Sequence, residues 1–154
     1  LRGGNVVTFA LNDLISALEN KTVVSMSSIS TPSNLEAGEG GLRLSRFGTT
    51  VRWLKSDGSL AIAAPMWTKG AIPLLSKFRE AGSVYIWSED NLPSGSVKDI
   101  EKSCSNVIHG SFSHGRFGLS MASPSSGVLL IGSPLADSSD GDLEMAGVVG
   151  TYQL

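Results

Sequence analysis

Gly115-Arg116-Phe117-Gly118, then Leu130-Ile131-Gly132-Ser133-Pro134, then Ala146-Gly147-Val148-Val149 decide how this chain folds, because the same order has already occurred once. The first instance is Ser45-Arg46-Phe47-Gly48, Leu60-Ala61-Ile62-Ala63-Ala64-Pro65 and Ala81-Gly82-Ser83-Val84-Tyr85-Ile86-Trp87. Near the start, Gly4-Asn5-Val6-Val7-Thr8-Phe9 matches the last of the three pieces alone. A repeat of this length marks solenoids and propellers, in which one small unit stacks on copies of itself. The chain therefore reads as a slice of a larger array.

Working outward from these pieces, the apolar runs are short, β-branched and bounded by glycine or proline, which is strand chemistry. Gly4 to Ala10 and Thr22 to Ser28 read as strands. Leu11 to Asn20 has apolar residues at helical spacing and reads as an insertion holding a helical turn or two. Ser30 to Gly41 is a loop. Phe47 to Leu54 and Ser59 to Ala64 form a hairpin around Ser56-Asp57-Gly58, since both positions of an Asp-Gly turn tolerate positive φ. After a long connection from Met66 to Glu80, strands follow at Gly82 to Ser88 and at Ser103 to His109. A second hairpin joins Phe117 to Ala122 with Val128 to Gly132, and Gly147 to Leu154 is the last strand. The expectation is two strands of one blade, four of the next and three of a last, with bounds at 1–40, 41–114 and 115–154. The fold class is all-β, a partial β-propeller of four-stranded antiparallel blades within a larger ring.

Each repeated residue has a packing task. Phe47 and Phe117 wedge between neighbouring sheets, where an aromatic ring buries a large apolar area. Gly48 and Gly118 allow close backbone approach. Pro65 and Pro134 end strand pairing because proline has no N–H to donate.

Composition narrows the function. With 154 residues the chain is long enough for a buried core, and its 18 glycines and 6 prolines suit many tight turns. A net charge of -2 without a dense basic patch argues against a nucleic-acid partner. No apolar run approaches the ~20 residues of a membrane span. Leu1-Arg2-Gly3-Gly4-Asn5 has neither methionine nor an apolar signal core, so it reads as an internal start. Cys104 is the single cysteine, so no disulfide closes within the chain, and pairing outside it stays open. Asn20-Lys21-Thr22 makes Asn20 a glycosylation acceptor in a secreted protein.

As an ordered set, these motifs resemble FG-GAP repeats, the propeller repeats of integrin α chains and of the glycosylphosphatidylinositol-specific phospholipase D family. The resemblance covers about Gly41 to Leu154 and extends loosely over the first forty residues. Within the family the phospholipase branch is the better match. The chain stops one strand after its last Gly-Ser-Pro element, and the stretch Lys98 to His109 is a cysteine-bearing spacer of the phospholipase kind. The calcium loops of integrins, of the Asp-x-Asp-x-Asp-Gly type, are also missing. In their place stand Lys55-Ser56-Asp57-Gly58-Ser59 and Ser123-Pro124-Ser125-Ser126-Gly127. Calcium takes six to eight oxygens, so Asp57, the one calcium candidate, falls short alone. Asp137, Asp140 and Asp142 lie outside the family's loop and read as a solvated acidic loop.

The resemblance implies a secreted parent that hydrolyses the inositol phosphate link of lipid anchors with zinc held in an amino-terminal domain. It implies calcium as a further metal of the parent. The implied partners are the rest of the propeller, that catalytic domain, and glycosylphosphatidylinositol-anchored proteins as substrate. No catalytic or cofactor-binding residue is expected in this chain. His109 and His114 alone do not make up the ligand set of a zinc cluster, and Gly110-Ser111-Phe112-Ser113 lacks the context of a hydrolase nucleophile. A non-enzymatic, integrin-like adhesion or binding propeller is the alternative.

Overall fold

The computed structural model describes residues 5–8, 27–30, 45–54, 58–69, 79–92, 100–124, 127–138 and 142–153. Within them the chain is mostly β, in antiparallel sheets of two, four and three strands. The first sheet pairs β1 (Asn5–Thr8) with β2 (Ser27–Ser30). The second runs in the order β3 (Val51–Trp53), β4 (Leu60–Ala64), β5 (Ser83–Trp87) and β6 (Asn106–His109). The third is β7 (Ser120–Ala122), β8 (Val128–Ser133) and β9 (Val148–Gln153). The strand count per sheet is that expected from the sequence; closure of these sheets into a ring lies outside what the described residues contain.

Strands β4 and β5 are buried along their whole length, as centre strands covered on both faces must be. Their register pairs Leu60 with Trp87 and Ile62 with Tyr85, and, one residue out of phase, Ala61 with Ile86 and Ala63 with Val84. Since side chains alternate between faces, the sheet has two apolar sides. One gathers Phe47, Leu60, Ile62, Ala64, Trp67, Tyr85 and Trp87. Phe47 meets Tyr85 edge-on at 5.9 Å and Trp87 at 6.4 Å.

The other side carries Leu54, Ala61, Ala63, Val84 and Ile86, and it packs on Phe117, Met121, Leu129 and Ile131 of the three-stranded sheet. Four- and three-stranded sheets therefore share one core. Small residues on β4 let the sheets approach closely: a Cβ on Gly118 would come within 2.9 Å of both Ala63 and Val84. Burying Leu129 or Ile131 stabilises this core by roughly 1.5–3 kcal/mol each.

The repeat is as exact in the backbone as in the sequence. Left-handed residues recur in matched places: Arg46 and Arg116 at φ 53° and 55°, Gly48 and Gly118 at 87° and 90°, Glu80 and Met145 at 46° and 50°, Gly82 and Gly147 at 88° and 77°. Hydrogen bonds recur with them. The Gly48 N–H donates to the Ala63 carbonyl at 2.9 Å, and that of Gly118 to Gly132 at 3.0 Å. Met66 donates to Ser45 at 3.0 Å, and Leu135 to Gly115 at 3.3 Å. Gly82 donates to Trp67 at 3.1 Å, and Gly147 to Ala136 at 2.9 Å.

Strand bounds differ from the sequence reading: β2 runs to Ser30, past the expected end at Ser28, and β6 starts at Asn106, after the expected start at Ser103. Each Phe-Gly pair lies in a turn before its strand, and pairing begins at Val51 and Ser120. The left-handed arginine and glycine fold the chain back, with Thr49 donating to Arg46 and Leu119 to Arg116, both at 3.1 Å. As expected, β4 and β8 stop immediately before Pro65 and Pro134. The connection from β5 to β6 also holds a 3-10 turn (Glu89–Asn91) and a one-turn helix, α1 (Ile100–Ser103). Ser30, read as the start of the loop Ser30 to Gly41, is the last residue of β2, paired with Asn5; the rest of that loop, the expected insertion at Leu11 to Asn20 and the turn residues Ser56 and Asp57 lie outside the described residues.

Candidate functional site

The repeated turn forms the joint between the two larger sheets. Residues leading into β7 run along residues leading into β5: His114 N–H donates to Arg79, Arg116 N–H to Glu80 at 3.1 Å, and Phe117 N–H to Ala81 at 2.9 Å. Gly82 and Phe117 form a parallel bridge, and the Gly110 N–H reaches the Gly82 carbonyl at 2.9 Å. Left-handed geometry at Glu80 turns its carbonyl toward Arg116. Gly82 must be glycine, because a Cβ there would overlap the Phe117 backbone. An ion pair from Arg116 Nη2 to Glu80 Oε2 at 3.3 Å crosses the same joint. Both side chains are about a third exposed, so it contributes at most about 1 kcal/mol.

Beside the joint lies a cavity of about 60 Å³ lined by His109, Phe112, Phe117, Ser133 and Tyr152 among others. That is a space of water size, whereas metabolite sites run to ~300 Å³ and more. His109 closes β6 at its edge. Its ring stacks on Trp67 at 4.2 Å with 14° between planes, and its Nδ1 lies 3.0 Å from Ser83 Oγ. Burial of the ring against Trp67 and its neighbours lowers the His109 pKa; Glu101 opposes that shift and Lys69 adds to it.

A serine hydroxyl on an imidazole nitrogen is the first half of a nucleophile–base pair. Here Ser83 is fully buried, so its oxygen meets no substrate. The contact locks the edge of β6 to β5 and fixes the ring. The joint ties the two sheets together, and its turn also carries an exposed serine, Ser113, beside His114.

The remaining residues singled out in the sequence fall apart from one another. His114 is exposed in the turn before Arg116, with Nδ1 3.2 Å from Ser113 Oγ. Asp137 Oδ1 accepts the Met145 N–H at 3.1 Å, a loop-closing bond. Cys104 packs half-buried against the Phe47 side of the four-stranded sheet, and its Sγ donates to the Glu101 carbonyl at 3.3 Å. Asp57, the calcium candidate, Asn20, the glycosylation candidate, and Asp140 lie outside the described residues. Among the described residues, no group of three or more His, Cys, Asp or Glu is placed to hold a metal, and no helix is long and apolar enough to cross a membrane.

Sequence reasoning missed the Trp67–His109–Ser83 cluster. Its members are distant in sequence, and the only local sign was an aromatic two residues after the strand-ending Pro65. Compared with models of protein families and with curated proteins, the chain matches none.

Proposed function

We propose that this chain is a packing and presentation module: two repeat sheets, with strands of a third, belonging to a propeller of the FG-GAP kind. Its parent is then a secreted hydrolase similar to the glycosylphosphatidylinositol-specific phospholipase D family, acting on lipid-anchored proteins through zinc held outside this chain. The module's own task is to dock against the catalytic part and position the substrate.

The observation that carries the reading is the duplicated turn. Arg-Phe-Gly recurs with the same left-handed residues and the same hydrogen bonds, and its second copy joins one sheet to the next. A unit that binds its neighbour through its own repeat is built to be stacked. The test is release of a glycosylphosphatidylinositol-anchored protein from membranes by the polypeptide that carries this module, with zinc supplied. Release that stops when the module is deleted is the expected result. No release by the intact polypeptide overturns the enzyme reading.

A further inference from the structure

We infer that the cavity beside the joint is a binding slot for one small free phenol, with the ring of Tyr152 as its closure. The two repeats differ here in one side chain. Gly82 and Gly147 are matched, and the third residue after each is Tyr85 in the first repeat and Gly150 in the second. The Tyr85 ring is fully buried, edge-on to Phe47 at 5.9 Å and tilted against Trp87 at 6.4 Å. In the three-stranded sheet Phe117 stands for Phe47 and Tyr152 for Trp87, and both line the cavity together with Gly150. The walls that hold a phenol ring are kept, while glycine replaces the ring's own residue.

One wall also gains a polar group. Ser133 lines the cavity in the place of Ala64, so a hydroxyl stands where the first repeat has a methyl. That hydroxyl is buried and donates to the Gly115 carbonyl at 2.8 Å. Its lone pairs are left to accept from a guest O–H, which favours a phenol over a bare hydrocarbon ring. Tyr152 keeps the slot shut. A Cβ on Gly150 would come within 2.7 Å of Tyr152 Cε2, so the ring leans over the glycine. About 60 Å³ is left beneath it, whereas an apolar cavity that takes benzene measures roughly 150 Å³. The shortfall is about the volume of one aromatic ring, and Tyr152 is placed to supply it by turning outward. It is half-buried near the end of an edge strand and packs edge-on to Phe117 at 5.8 Å. Its twin Trp87 is fully buried and clasped by α1, with Nε1 donating to Ser103 Oγ at 3.3 Å. Among the described residues no such helix follows β9.

The slot stands apart from the lipid-anchor reading, and its test needs no parent enzyme. p-Cresol, the tyrosine side chain as a free compound, is titrated into the 154-residue chain and followed by NMR. Saturable binding is expected with a Kd on the order of 1 mM or tighter, as suits so few atoms. Nuclear Overhauser contacts should run from the cresol ring to the methyl groups of Val148, which lines the cavity. No saturation, or contacts that reach only other residues, overturns the proposal. In the native chain the Tyr152 ring signals should move toward those of an exposed tyrosine as cresol saturates. Tyr152→Ala is expected to tighten cresol binding by about tenfold, because a closed state no longer competes with the guest. If the ring signals stay in place, or the variant binds no more tightly, Tyr152 is not the closure and that part of the proposal falls. N-Acetyltyrosinamide is expected to bind more weakly than p-cresol. Tighter binding would assign the slot to a tyrosine of another polypeptide and overturn the choice of a free phenol.

Discussion

Gly82 and Gly147 stand at matched points of the repeat, yet different forces hold them. Both are left-handed, so alanine at either costs roughly 1–2 kcal/mol from backbone sterics. Only Gly82 also has the Phe117 backbone against it. Urea unfolding of Gly147→Ala should therefore lose about 1–2 kcal/mol, and that of Gly82→Ala about 3 kcal/mol or more, since the joint must shift as well. Equal losses would mean that Phe117 does not press on Gly82. His109 gives a prediction of a different kind. Its pKa in the fold lies below the ordinary 6.5 because the ring is buried, so the unfolded chain binds the proton more readily. Stability is then complete above pH 6.5, falls as pH drops toward the lowered pKa, and levels off below it. Thermal melts between pH 8 and pH 5 should show the native chain losing more than His109→Gln, which keeps a partner for Ser83 and has no proton to gain. Parallel profiles would remove His109 as the source.

Strands reveal why some elements were legible before folding and others were not. Short apolar and β-branched runs at Leu60–Ala64 and Ser83–Trp87, with proline and glycine at their ends, mark two strands, and the structure pairs them antiparallel. Phe47 and Phe117 were legible as wedges, and Phe117 does lie between sheets. The start of β3 and β7 was not, because nothing in Arg46 or Arg116 announces a left-handed backbone; the tertiary joint imposes it. One-turn α1 is too short to show any period, and its last residue, Ser103, reads in the sequence as the start of a strand. The contact of β3 with β7 was equally hidden. It depends on two side chains, Arg52 Nε donating to the Met121 carbonyl at 2.7 Å and Thr50 Oγ1 to Leu119 at 2.9 Å. These cross between sheets from a half-buried threonine and an exposed arginine, where local sequence sees only a polar surface. Chemistry in the Trp67–His109 cluster was hidden for the same reason: stacking and hydrogen bonding join three separate elements.

At the scale of the molecule, the question is whether two sheets behave as one body. They share the core of Val84, Ile86, Phe117, Leu129 and Ile131, and Phe117 sits at its centre, edge-on to Tyr152 at 5.8 Å. Backbone bonds from the same turn reach Glu80 and Ala81. Small domains with one continuous core unfold in a single step. All three tryptophans, Trp53, Trp67 and Trp87, belong to the four-stranded half, so their fluorescence reports that half, while far-ultraviolet circular dichroism reports both. In the native chain the two urea transitions should coincide. Phe117→Ala empties the joint and should cost about 3–5 kcal/mol, as large aromatic truncations in cores do. With the shared core broken, the three-stranded sheet should unfold first, so the dichroism change precedes the fluorescence change. Native transitions that already separate would mean the joint does not couple the sheets. Coincident transitions in Phe117→Ala would mean the coupling lies in the backbone stitches to Glu80 and Ala81 and not in the ring.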